Sequence, residues 1–139
     1  MNNYFTLSVI SAIGFGIIPL FLKSIQQSMP PQVVMAWYYS IVAIILWIIS
    51  SATTKLGIPN VKNATLLLIV SVIAAISDLA IFYAYKLASN VGYPRGIQAF
   101  SIVITTILSI VLFRQYPNVI GITGIVLIFI GVVLLSGMK

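Results

Sequence analysis

The chain holds a single acidic residue, Asp78, inside a long apolar run from roughly Ala64 to Tyr85. A carboxylate in a membrane-length segment is costly unless it meets a partner, a watery cavity or a proton. Ser71 lies seven residues before it and Tyr85 seven after, a spacing that puts all three on one helix face. Ala74 and Ala75 flank that face and would let another helix come close. Asp78 stands eight residues before Lys86. That is roughly 12 Å along a helix, which places the acid near the bilayer midplane. Transporter binding sites are built at that depth. Two roles stay open for Asp78: coupling or substrate binding, or a structural hydrogen bond between helices.

A second polar stripe runs through Arg95, Gln98, Ser101, Thr105 and Ser109, at steps of three or four, opposite Ile97, Ile104, Leu108 and Val111. The small hydroxyls could simply bond to their own backbone or pack between helices. Arg95 and Gln98 are larger and costlier to bury, which makes them candidates for lining a cavity. Arg95 falls near the membrane edge on the side of Lys86. A link to Asp78 through water or substrate therefore fits better than direct contact. The substrate or coupling candidates are Asp78, Arg95, Gln98, Tyr85 and Ser71.

Gly14, Gly16 and Pro19 thin and bend the first apolar segment, either as a hinge beside a cavity or for packing alone. Gly121, Gly124 and Gly131 in the last segment suit close helix packing, including at a subunit interface. Trp37 and Tyr38 lie a turn or two inside the second segment and face either a cavity or lipid. Trp47 fits an interfacial belt. Asn63-Ala64-Thr65 has the form of a glycosylation acceptor but lies too close to the third segment to be used.

The elements that must position these residues follow from composition. Hydrophobic residues make up 61% of the 139 and charged residues 6%, where a soluble domain carries about a quarter charged. Such a chain must be solvated by lipid. It has no cysteine and no histidine, which excludes thiol chemistry, disulfides and the common metal sites. One carboxylate cannot form an acid–base pair. No enzyme activity, metal or cofactor is expected. The net charge of +6 comes from Lys and Arg scattered near segment ends, as interfacial anchors rather than a nucleic-acid surface.

Five segments reach spanning length: residues 4–22, 31–53, 64–87, 91–113 and 117–136. They lack two-residue alternation, so a β-barrel is excluded. The first is not a cleavable signal peptide, because Met1-Asn2-Asn3 carries no Lys or Arg. Pro94 falls in a first helical turn, where proline is tolerated. An odd number of spans puts the termini on opposite sides. Lys55, Lys62 and Arg114 then face one side and Lys23, Lys86 and Lys139 the other, with Arg95 just inside the fourth span. The positive-inside bias is close to nil. Either another feature fixes orientation, or copies insert both ways up and pair antiparallel. The pair would then build from two copies the inverted repeat found in many transporters.

Four pieces of the chain carry a resemblance: AIGFGIIPLFLK at Ala12–Lys23, the Met29-Pro30-Pro31 loop, FYAYKLAS at Phe82–Ser89 and GITGIVLIFIGVVLLS at Gly121–Ser136. In this order and spacing they resemble one five-helix EamA-type repeat of the drug/metabolite transporter superfamily, over essentially the whole length. The resemblance implies an all-α membrane fold and export of small metabolites. Most members carry two inverted repeats in ten helices, so a single repeat implies a homodimer. Three departures stand out. Trp37-Tyr38-Tyr39 replaces an Arg frequent in the second helix, and Phe113-Arg114-Gln115 replaces a Glu frequent after the fourth. No acid stands in the first helix, where the related four-helix multidrug exporters keep theirs.

The resulting expectation is a plasma (inner) membrane transporter that works as an antiparallel homodimer of ten spans. Helices one, three and four would line a central polar cavity for a small-molecule substrate. The alternatives are a non-transporting subunit that stabilises a larger complex, or a flippase for a lipid-linked substrate.

Overall fold

The computed structural model describes residues 3–137. The described residues form α-helices and no strand: α1 Asn3–Ile25, α2 Pro31–Thr53, α3 Val61–Leu87, α4 Gly92–Gln98, α5 Phe100–Phe113 and α6 Val119–Ser136. Five stretches are long and apolar enough to cross a membrane, with Gly92–Phe113 counting as one. Met1, Asn2 and Lys139, which entered the signal-peptide and charge readings, lie outside the described residues.

Several boundaries differ from the sequence reading, each for a local reason. Helix α1 runs on through Lys23 to Ile25, because a lysine in a last turn favours the helix dipole and does not stop the helix. Helix α3 starts three residues early, at Val61. There Asn60 caps it, its Oδ1 accepting from the Asn63 backbone N–H at 2.9 Å. Asn63 of the glycosylation-like triplet is thus inside a helical turn. Helix α6 starts at Val119, two residues late, because Asn118 Oδ1 accepts from Gly121 N at 2.7 Å. The expected single fourth helix is divided at Ala99. There two three-residue bonds, Ala99 N to Gly96 O at 3.1 Å and Ile102 N to Ala99 O at 3.0 Å, tighten the turn.

The chain forms two compact units, Met1–Leu87 and Ala88–Lys139. In the first, α3 packs against both α1 and α2. Its buried positions gather where α1 ends, α2 begins and α3 ends: Leu22, Gln26, Pro31, Val34, Phe82 and Tyr85. Pro19 is buried there too, while every residue of α3 from Val61 to Ser77 is exposed. The apolar surface of that far half suits lipid. In the second unit α6 packs against α4 and α5, with Phe100 and Phe129 in ring contact at 6.0 Å.

Helix α5 ends in a left-handed residue, Arg114, at φ 54°. Arg114 N bonds to Ile110 O, the single bond of an αL cap here built without glycine, and Gln115 N bonds to Ser109 O. The turn to α6 therefore needs only a few residues.

Candidate functional site

Tyr39 stands eight residues after Pro31, and Asp78 eight before Lys86. Antiparallel α2 and α3, packed from a shared end, bring the two to equal depth, roughly 12 Å along each helix. The Tyr39 hydroxyl donates to Asp78 Oδ2 at 2.5 Å. A hydrogen bond from a neutral hydroxyl to a carboxylate is short and strong, and it strengthens where water is scarce. One phenolic O–H fills one of about four lone-pair positions on a carboxylate, which leaves room for a proton or a donor from a ligand. Asp78 is half-buried and Tyr39 is 38% exposed, so neither is sealed in a core.

From Tyr39 an aromatic string leads toward the packed end. Tyr38 meets Tyr39 edge-on at 5.0 Å, Phe82 lies 6.1 Å from Tyr38, and Tyr85 lies 6.4 Å from Phe82. Such tilted contacts favour rigid packing. Beside the string, a cavity of about 410 Å³ is lined by Leu22, Ile25, Met29, Val34, Trp37, Tyr38 and Ile41. That is within the size range of small-molecule sites, and its walls are almost wholly apolar. Trp37 and Tyr38 thus line a cavity in the first unit.

The face shared by Ser71, Asp78 and Tyr85 is graded by depth. Ser71 is exposed, Asp78 half-buried and Tyr85 only 2% exposed. Tyr85 belongs to the packed end, while Ser71 lies on the exposed half of α3. The partner of Asp78 is Tyr39, which the sequence reading did not select. Equal distance from same-side helix ends was the signal that would have found it.

In the second unit, Arg95 Nη1 donates to Gln98 Oε1 at 2.5 Å, within one turn of α4. The two line a pocket of about 310 Å³ with Ala99, Ser101 and Ile102. Thr105 is exposed and Ser109 half-buried on α5. The neighbouring Thr106 hydroxyl bonds to its own backbone, at Ile102 O, at 2.8 Å.

The glycines divide by surroundings. A Cβ on Gly14, Gly16, Gly124 or Gly131 would meet no described atom within 4 Å. One on Gly121 would meet only the capping segment, Asn118 and Pro117. Within the described chain, then, none of the five is required by an approaching helix. Close approach is instead made at Gly96, where a Cβ would overlap the Leu135 side chain of α6. Pro19 lies inside α1 and is buried.

Gln26 also escaped the sequence reading. It is 2% exposed, and neither its Oε1 nor its Nε2 has a hydrogen-bond partner among the described residues. A polar residue four after Leu22, at a packed helix end, gave no periodic signal that separates it from a solvated one.

These elements define a multi-pass, all-α integral membrane protein. The family model of the EamA-like transporter family matches residues 3–137. The chain belongs to that family, whose members are transporters rather than enzymes. No curated protein and no solved structure matches the chain.

Proposed function

We propose that the protein is a small-metabolite or drug transporter working by alternating access, as an antiparallel homodimer in the plasma (inner) membrane. The observation that carries this reading is the Asp78–Tyr39 pair, a carboxylate held midway along two membrane-length helices. A carboxylate at that depth is costly. A proton-coupling site, or a site for a cationic group, gives it a use. The family match over nearly the whole chain supports transport. The near-balanced positive charges on the two sides support insertion both ways up. Two inverted copies would then supply the repeat pair between which such cavities form. Asp78, Arg95 and Gln98 act on substrate or coupling ion, and Gly14, Gly16 and Pro19 let α1 flex.

The test is Asp78→Asn in proteoliposomes, after a thermal-shift screen has identified a substrate. The variant folds and assembles, and its flux falls at least tenfold or loses its pH dependence. Wild-type flux with an unchanged pH profile removes Asp78 from the mechanism. A reporter fused after Lys139 appears on both sides of the membrane, and a single orientation sinks the antiparallel arrangement.

The same hydrogen bond favours a second reading. Asp78 bound to a neighbouring helix is what a non-transporting subunit would use as glue. In that case a loss of thermal stability is the whole effect of Asp78→Asn, and no compound in the screen is transported.

A further inference from the structure

We propose that the pocket lined by Arg95, Gln98 and Ser101 is an oxyanion site, taking a carboxylate or phosphate group from a metabolite or a lipid headgroup. It deepens the transport reading by giving the substrate a negatively charged end, and rests on that reading only for calling the ligand a substrate.

The donor inventory points this way. A guanidinium offers five N–H donors and no acceptor. The bond from Arg95 Nη1 occupies Gln98 Oε1. The acceptor end of the amide is thereby engaged and its two N–H donors are oriented away from the guanidinium. The Ser101 hydroxyl can rotate to donate. No lining residue is acidic. The pocket therefore presents donors and positive charge, and favours oxygen-bearing anions over cations.

Backbone geometry supplies an independent reason. Arg95, Gln98 and Ser101 are spaced three apart, and in an α-helix such residues drift around the axis. Between Gln98 and Ser101 the chain is tightened by the three-residue bonds at Ala99 and Ile102. In that conformation residues three apart eclipse. Gln98 and Ser101 are thus brought toward one line. The tightened turn thus brings these polar groups toward one recess.

Ala99 and Ile102 form apolar walls, which lower the local dielectric and strengthen charge-assisted bonds. The volume, about 310 Å³, lies at the small end of ligand sites and suits an anionic group with a short organic tail.

The test is direct binding to purified protein in an uncharged detergent at fixed ionic strength. Inorganic phosphate and acetate are titrated by calorimetry against wild type, R95Q, R95K and Q98E. Wild type binds one or both anions. R95Q weakens binding at least tenfold. R95K retains part of it, as a point charge without the planar fork. Q98E puts a carboxylate beside the guanidinium and also weakens binding at least tenfold, while keeping the arginine in place. It carries the test if R95Q does not fold. No anion binding by wild type, or wild-type affinity in both R95Q and Q98E, overturns the site. In phosphatidylcholine nanodiscs, added phosphatidylglycerol that competes with phosphate assigns the site to a headgroup. Without competition the site takes a soluble anion, and either result upholds an oxyanion site. Anion binding without flux would overturn the transport reading alone. Flux without anion binding would overturn this site alone.

Discussion

The two units of the chain hold their polar groups in opposite ways. In α1–α3 the acid is fixed across helices, by a tyrosine 39 positions away in sequence. Its neighbours are a string of aromatic rings leading to buried Phe82 and Tyr85. In α4–α6 the guanidinium is oriented by Gln98, three positions along its own helix, and no residue of those three helices is buried. A bond between helices depends on their packing, whereas one within a turn depends on helix formation alone. Loss of the first should disturb a tertiary arrangement. Loss of the second should change local chemistry with little effect on the fold.

Tyr39→Phe is the sharpest way to break this contrast. It removes one hydroxyl and keeps the ring that packs on Tyr38. A hydrogen bond to a charged group contributes about 1.5–3 kcal/mol, so thermal unfolding in detergent should show a loss of that order. Flux should fall at least tenfold, approaching that of Asp78→Asn. In a double-mutant cycle the two substitutions should be strongly non-additive. Additive effects would mean that the pair does not act as a unit, and the contrast between the units would collapse.

The same contrast explains what could be read from sequence. Five spans were legible because each is an apolar run bounded by polar turns, and bilayer thickness sets their length. The Arg95–Gln98–Ser101 stripe was legible because three-residue spacing within a helix is a local property. Tyr39 was not, because it sits among Trp37, Tyr38 and Trp47 with nothing local to mark it as the partner of Asp78. Helix starts shifted where one side chain decides them, as Asn60 does for α3 and Asn118 for α6. The division at Ala99 was invisible, since neither proline nor glycine occupies the tightened position. Gly96 was passed over in favour of Gly121, Gly124 and Gly131, because glycine spacing alone does not show which one faces a neighbour.

Glycine substitutions sharpen the comparison next. Gly96→Ala drives a Cβ into Cδ1 of Leu135, the far end of a flexible half-buried side chain that can turn aside, so the overpacking should cost about 1 kcal/mol or less. Leu135→Ala in the same chain should relieve part of that loss. Gly124→Ala and Gly131→Ala meet open space, so their effect on unfolding of the single chain should stay within about 0.5 kcal/mol. If α6 instead forms the contact between copies, these two variants weaken the dimer in crosslinking or light scattering. Intact dimers in both would move the interface off that face of α6.

A change of opposite sign is expected from Gln26→Leu, in the first unit. Two polar atoms are buried there without a hydrogen-bond partner among the described residues, and a buried amide of this kind is costly. Leucine has nearly the same bulk and no polar atom. Against Leu22 and its buried surroundings it should raise stability by about 1 kcal/mol, read as a higher midpoint of thermal unfolding. That gain is limited because the branched side chain must still fit the space of an unbranched one. The sign of the change is what matters. A loss of more than about 1 kcal/mol would mean that the amide finds a partner in the working protein, from a second copy or from water. The packed end of the first unit would then be held by polar bonds as well as by apolar contact, and its difference from the second unit would narrow.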